Sequence, residues 1–282
     1  MSAMPVPNPY IPELARITDV FDETYDIKTF RIAFEDERRR DEFTYDSGQF
    51  AEVSVFGFGE ATFDISSSPS QLGSIEFTVK KMGKVTSALH QLGPGSQVGI
   101  RGPYGHGWPL ADWEGKGIVF IGGGVGLPPL RTALNEILAP ANRPMYGKIA
   151  IIYGARSPSD LVHTSEYDTW KSADRTELHL TVDAGDDNWT GKVGFVPTLL
   201  AEVAPSPKNA VALTVGPPIM IKFVLQELTK LGFADEDVFT NLENRMKCGI
   251  GKCGRCNVGP YYVCTHGPVF SYAQLKGLPV DY

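Results

Sequence analysis

From Ala15 to about Arg101, apolar and polar side chains alternate in short runs. Thr29–Phe34, Phe50–Val55, Ser74–Val79 and Gln97–Arg101 each carry the period of two that predicts a half-buried strand. Turn residues at Asp46–Gly48, Gly57–Gly59, Ser68–Pro69 and Gly93–Gly95 separate these runs. One short helix fits at Val85–Leu92. Many short strands with few helices predict a small antiparallel barrel.

The pattern changes near Asp112–Gly117. Gly117–Ile121 and Ile149–Tyr153 are continuous apolar runs, and Leu178–Val182, Ala210–Val215 and Val238–Thr240 read as further strands. Gly126–Ala139, Val196–Val203 and Pro218–Leu231 read as helices between them. Strand alternating with helix predicts a parallel sheet with crossovers. The expected architecture is an N-terminal antiparallel β-barrel over residues 1–112, an α/β parallel-sheet nucleotide-binding domain over 113–240, and a C-terminal cysteine-loop module over 241–282. Prolines at 5, 7, 9 and 12 predict an extended arm ahead of the barrel.

Composition narrows the function classes. The chain is 42% hydrophobic and 21% charged, an ordinary globular mixture, and its net charge of −7 argues against nucleic acid as a partner. The one basic run, Arg38–Arg40, is hemmed in by Glu35, Asp36, Glu37, Asp41 and Glu42, and reads as a solvated turn between strands. No apolar run approaches the ~18 residues of a membrane span. The first residues lack the basic and apolar regions of a secretory leader. Both point to a cytoplasmic protein with reduced thiols.

All four cysteines lie in Cys248-x4-Cys253-x2-Cys256-x7-Cys264. This is the plant-type spacing for a [2Fe–2S] cluster, and Gly249, Gly251 and Gly254 let backbone amides turn toward the sulfurs. A structural zinc site is the second reading, although it usually has two C-x2-C knuckles and only one is present. Disulfides are the third and suit small secreted domains. His266 reads as a loop residue, since a lone histidine cannot build a Rieske centre.

Two glycine-bearing loops end apolar strands. Gly122-Gly-Gly-Val-Gly126-Leu-Pro-Pro129 lets a pyrophosphate approach the backbone at a helix start, with Pro128 or Pro129 suited to the first turn. It does not match the Rossmann fingerprint, and a tight strand–helix turn explains it equally well. Gly216-Pro-Pro-Ile-Met220 closes a second such strand. Ligands of parallel sheets sit at these carboxyl ends, so the two loops support each other. Arg156 ends a third strand and suits a phosphate, a pyrophosphate or an adenine, or simply a surface turn. In the barrel, Ser66–Ser68 is a hydroxyl run, and Gly83-Lys-Val85-Thr86 opens the short helix as an anion seat or an ordinary cap.

In this order the motifs resemble the ferredoxin–NADP reductase superfamily, and within it the branch with a C-terminal [2Fe–2S] module. That branch includes gamma subunits of soluble NAD(P)-linked hydrogenases, electron-transfer subunits of dihydroorotate dehydrogenase and a subunit of anaerobic sulfite reductase. Asn244–Cys256, Tyr262–Phe270 and Val182–Gly191 are especially similar to the hydrogenase type. The resemblance implies FAD in the barrel. Phe63 would flank the isoalloxazine, Asp64, Ile65 and Ser66 would lie beside it, and Thr78, Val79 and Lys80 would follow its tail. Gly83, Val85 and Thr86 would hold its phosphates. It implies NAD(P)H on Gly123, Gly124, Gly126, Arg156, Gly216, Pro217 and Met220, and a cluster on Cys248, Cys253, Cys256 and Cys264. Three positions depart from the family pattern. Ala61 stands where an arginine often pairs with the FAD phosphate, Asp64 where a serine faces the ring, and Val215 where a cysteine often precedes Gly-Pro-Pro.

The activity implied is hydride exchange between NAD(P)H and FAD, then single electrons to or from the cluster and a partner. No catalytic acid or base is assigned, because the work is positioning and tuning. The absence of a further catalytic domain after the cysteines favours a place among other subunits of a multi-subunit redox complex, of hydrogenase or heterodisulfide-reductase type. Alternatives are a stand-alone reductase of a diffusing acceptor, a subunit of sulfite reductase or dihydroorotate dehydrogenase, or a regulatory subunit that binds no nicotinamide. The choice between NADH and NADPH stays open.

Overall fold

Residues 8–278 are described by the computed structural model. Six antiparallel strands carry the first unit: β1 (Glu13–Asp22), β2 (Ile27–Phe34), β3 (Phe50–Val55), β4 (Gly59–Asp64), β5 (Ile75–Lys80) and β6 (Gln97–Tyr104), with short helices α1 (Glu37–Glu42) and α2 (Lys84–Leu89). Their order is β4-β3-β6-β1-β2-β5. The Ser66 amide, just beyond β4, donates to the Glu76 carbonyl in β5 at 2.8 Å, which draws the two edges together into a barrel. Alternate residues such as Phe30, Ile32, Val53, Phe77 and Ile100 fill its interior. Full burial of each such side chain stabilises by about 1.5–3 kcal/mol.

Two strands had no clear signal. A register shift between Ile17 and Asp19 breaks the period in β1, and β4 has no fully buried residue. The expectation of a solvated turn at Arg38–Arg40 is corrected: the run lies in α1. The Asp36 side chain caps that helix by accepting from the Arg39 amide at 3.2 Å. Arg39 reaches Glu13 at 2.7 Å, and Arg40 donates to the Phe34 carbonyl at 2.9 Å, so this run fastens the helix to the barrel.

The second unit is built from β7 (Gly117–Gly123), α3 (Leu127–Leu138), β8 (Ile149–Ala155), α4 (Tyr167–Ser172), β9 (Thr176–Val182), β10 (Lys192–Val193), α5 (Val196–Val203), β11 (Ala210–Val215), α6 (Pro218–Leu231) and β12 (Val238–Asn241). The cysteine segment adds β13 (Asn257–Val258), β14 (Tyr261–Tyr262), α7 (Val263–His266), β15 (Val269–Ser271) and α8 (Tyr272–Leu275). The sheet order is β10-β9-β8-β7-β11-β12-β15, parallel from β10 to β12. β15 returns antiparallel to β12, so the cysteine segment is continuous with the edge of this sheet. Side chains on both sheet faces are buried, which explains the uninterrupted apolar runs of β7, β8 and β11. His266 closes α7 rather than lying in a loop, and its Nδ1 accepts from the Tyr262 amide at 3.1 Å.

Residues 1–7 of the expected arm lie outside the described residues. Asn8–Pro12 form a turn, with the Ile11 amide donating to the Asn8 carbonyl at 3.1 Å, so this part is not extended. Among the described residues no helix is long and apolar enough to cross a membrane.

A polar seam joins barrel and sheet. Arg131 of α3, 8% exposed, donates to the Ser66 carbonyl at 2.7 Å and to Glu76 at 2.8 Å, and also binds Glu166. Thr132 donates to the Ser67 carbonyl at 2.8 Å, and Ser68 to Glu136 at 2.5 Å. Here the hydroxyl run Ser66–Ser68 fixes how the barrel sits on α3.

Candidate functional site

The carboxyl ends of β7, β8, β9 and β11 open onto one cavity of about 1140 Å³. Helices α3, α5 and α6 all start at its wall, so the positive ends of three helix dipoles face the same space. That arrangement favours a bound anion such as a pyrophosphate. The barrel closes the cavity from the other side with Asp26, Ile27, Lys80 and Met82.

The loop glycines divide their tasks. Gly124 has φ +54°, and a Cβ there would meet nothing within 4 Å, so bare backbone faces the cavity. A Cβ on Gly126 would collide with the Val215 carbonyl oxygen, and one on Gly123 with the Met220 sulfur. Gly123, Gly126 and Gly216 thus let the β7–α3 and β11–α6 turns close on one another, with Pro217 and Met220 between. Arg156 reaches the cavity from the end of β8, but its guanidinium donates to Asp160 at 2.9 Å and to the Tyr25 hydroxyl at 3.1 Å.

In the barrel the expected residues fall into two groups. Phe63 and Asp64 stand half-buried at the end of β4, and Lys80 lies on the cavity wall, 3.4 Å from Asp26. Ile65, Ser66, Thr78 and Val79 are buried. Thr78 shares hydrogen bonds with Thr29, Ser66 and His163 Nε2, the last at 3.2 Å. Burial, with Arg131 nearby, holds His163 well below the usual histidine range, so this seam contact is made by a neutral ring. The Thr86 hydroxyl accepts from the Met82 and Gly83 amides at 2.9 and 2.8 Å, so in this structure it caps α2. Val85 packs against the barrel core.

At the junction of the two units, the Asn241 side-chain amide donates to Asp64 at 3.2 Å. Asn241 is 3% exposed and its Oδ1 has no partner. Burial pushes the Asp64 carboxyl up to about 7, and repulsion from Glu243 adds to the shift. Glu243, whose side chain stays exposed, lines the cavity next to this pair. The junction is therefore short of hydrogen-bond donors, a lack that ring N–H groups of a bound heterocycle would relieve.

The cysteine loop packs on the barrel face next to this junction. Gly249, Gly251 and Gly254 take φ of +72°, +71° and +70°. These left-handed turns aim amides at sulfur: Gly251 at Cys264 (3.1 Å), Lys252 at Cys248 (3.3 Å) and Cys253 at Cys248 (3.4 Å). Burial pushes the Cys248 thiol up, but bonds from the loop amides outweigh it and hold the group down at about 7. The four thiols form two pairs. Cys256 and Cys264 are 3.3 Å apart, and Cys253 lies beside Cys248. Cys264 is pushed up to about 12 by burial and by its neighbour Cys256. Four thiols set in two pairs suit an iron–sulfur group. Cys253 alone of the four is exposed.

Comparison with known proteins matches each part. Residues 15–108 match an oxidoreductase FAD-binding domain, 120–226 an oxidoreductase NAD-binding domain, and 243–276 the iron–sulfur cluster binding domain of dihydroorotate dehydrogenase B. The chain is 38% identical to sulfhydrogenase 1 subunit gamma of Pyrococcus furiosus over 98% of its own length and 96% of that protein's. The chain belongs to the family of this gamma subunit, with FAD-binding, NAD-binding and iron–sulfur domains. A probable dihydroorotate dehydrogenase B electron transfer subunit of Thermococcus kodakarensis is 34% identical over 93% and 97% of the two chains. The fold itself matches an NADH-dependent reduced ferredoxin-NADP oxidoreductase with a TM-score of 0.73, at 23% identity, covering 96% and 90% of the two chains.

Three residues carry weight that their sequence positions did not announce. Arg101, 4% exposed, pairs with Glu60 and donates to the carbonyls of Lys247 and Cys248, both at 3.2 Å. Asp183 follows β9 on the cavity wall, and Glu243 follows β12 there. The carboxyl-end rule for parallel sheets points to Asp183, whereas nothing local marks Arg101.

Proposed function

We propose that this chain exchanges hydride between NAD(P)H and FAD and passes single electrons, in either direction, between that flavin and a [2Fe–2S] cluster held by Cys248, Cys253, Cys256 and Cys264. One observation carries the reading. Phe50 on β3 is the cross-strand partner of Asp64 on β4, and it packs in one buried cluster with Cys256, Cys264 and Phe270. A single strand pair thus spans the distance from the open barrel end to the cysteine loop, where short-range electron transfer needs the two centres.

When bound, FAD supplies the exchange between two-electron hydride chemistry and one-electron transfer. The chain's residues bind and orient. Phe63 offers a ring face for stacking, and Asp64 with Asn241 offers hydrogen bonds at the ring edge. Lys80 is the candidate cation for the tail where Ala61 supplies none, aided by backbone at Gly83, Val85 and Thr86. Ile65, Ser66, Thr78 and Val79 support this surface from below. Gly123, Gly124, Gly126, Arg156, Gly216, Pro217 and Met220 bound the dinucleotide space. The two cysteine pairs would hold the cluster, and the loop amides would donate to its sulfur atoms.

The relatives are a hydrogenase gamma subunit and dihydroorotate dehydrogenase electron-transfer subunits. By analogy the partner is a catalytic subunit of a multi-subunit redox complex, of hydrogenase or heterodisulfide-reductase type. The exposed side of Cys253 is the nearest exit for electrons. The division into residues 1–112, 113–240 and 241–282 is the working domain scheme, and reduced thiols favour the cytoplasm.

The test is anaerobic mixing of the purified yellow protein with NADH and with NADPH in a stopped-flow spectrometer. Flavin bleaching by at least one of them is expected. A flavin that stays oxidised with both would refute the reading.

A further inference from the structure

We propose that the dinucleotide cavity selects NADH over NADPH, with Asp183 and Asp160 as the residues that turn away a 2′-phosphate. This rests on the dinucleotide reading of the cavity. Three cations line it, and each already faces a carboxylate of the same wall. Lys80 lies 3.4 Å from Asp26, Arg156 lies 2.9 Å from Asp160, and Lys230 lies 2.8 Å from Glu227. Two more lining carboxylates, Asp183 and Glu243, have no ion-pair partner among the described residues. The wall therefore carries an excess of negative side-chain charge. The positive helix starts offset this near the glycine loop, where the pyrophosphate belongs, and their influence fades within a turn.

The direction of the dinucleotide follows from the junction. Asn241 at the end of β12 meets Asp64 at the open end of the barrel, so the nicotinamide belongs toward β11 and β12. The adenosine then lies over the ends of β8 and β9, beside Phe195 and Val196 at the start of α5. Arg156 and Asp183 are the first residues after those two strands, and Asp160 holds Arg156 from the far side. The Asp160 carboxylate is itself fixed by the Ser157 hydroxyl at 2.7 Å. A 2′-phosphate here would have to take Arg156 from Asp160 and would lie among two carboxylates. A 2′-hydroxyl instead donates to the free Asp183 carboxylate, as an acidic residue at a strand end does in other dinucleotide folds.

Titration calorimetry of the purified full-length protein with ADP-ribose and with its 2′-phosphate isolates this end of the ligand from flavin chemistry. ADP-ribose is expected to bind about 10-fold tighter or more, and kcat/KM to favour NADH over NADPH by a similar factor, mainly through KM. In an Asp160→Asn, Asp183→Asn double variant the gap should narrow by about 10-fold, because Arg156 is released and repulsion removed. Equal or tighter binding of the 2′-phosphate by the unaltered protein would overturn the proposal. So would a double variant whose preference is unchanged. If neither fragment binds and neither coenzyme reduces the flavin, the dinucleotide reading itself fails and the selectivity falls with it.

Discussion

Arg101, buried inside the edge of the barrel, donates through Nη1 to the backbone carbonyl of Cys248 at 3.2 Å. The same guanidinium pairs with Glu60 and bonds the Tyr104 hydroxyl at 3.2 Å. One side chain of β6 thus holds the first cysteine in register with the barrel, across 147 positions of sequence.

Removing that side chain should loosen the loop and strand its partners. Arg101→Met leaves Glu60 unpaired and two loop carbonyls without a donor. Glu60 is partly exposed, so the cost of leaving these groups without their donor is about 1–3 kcal/mol. Urea denaturation should show a loss of that order, and iron per chain should fall. A variant with unchanged stability and iron content would contradict the role assigned to Arg101.

Stability should respond to pH through Asp64. Its ordinary value is 3.8, and burial raises it to about 7 in the fold. Between those values the folded chain keeps a proton that the unfolded chain releases, so this group lowers stability as pH rises from about 4 to about 7. Below that window it contributes nothing, and above it the loss is complete. Asp64→Asn removes the effect. In flavin-depleted protein the melting temperature of the variant relative to the parent should rise between pH 5 and pH 8. A difference that stays flat or falls would show that Asp64 is not held protonated.

The glycine loop makes a steric prediction. A methyl group on Gly126 meets backbone at Val215 and Gly216, which cannot swing aside as a side chain can. Gly126→Ala should cost about 1–3 kcal/mol by overpacking and weaken dinucleotide binding, as α3 is pushed from β11. Thermal unfolding and ADP-ribose calorimetry would measure the two effects. A variant as stable and as tight-binding as the parent would show that the turns do not need this close approach.

Much of this architecture was readable because its physics is local. The runs of β7, β8 and β11 are apolar throughout, since a parallel sheet buries both faces. Helices α5 and α6 begin at Val196 and Pro218, where proline in the first turn marks the start. The cysteine spacing and its three left-handed glycines were equally plain. What escaped depended on distant partners. β4 is half-exposed along its whole length and has no strand signal of its own. Ser66–Ser68 read only as a hydroxyl run, because the groups that its backbone and side chains meet, on Arg131, Thr132 and Glu136, lie 65 to 68 positions away. Arg38–Arg40 looked solvated because its acceptors, Glu13 and the Phe34 carbonyl, cannot be seen from charge pattern alone.

The account's central claim is that a bound flavin splits hydride electrons for an iron–sulfur pair on the same chain. Anaerobic titration with NADH, followed by flavin absorbance and by low-temperature electron paramagnetic resonance, tests it most directly. The protein should take up about three electrons per chain, two on the flavin and one on the cluster, with a reduced-cluster signal that grows as the flavin bleaches. In Cys253→Ser the flavin should still bleach while that signal is lost. Flavin bleaching at about two electrons per chain, with no cluster signal in iron-replete parent protein, would contradict the claim.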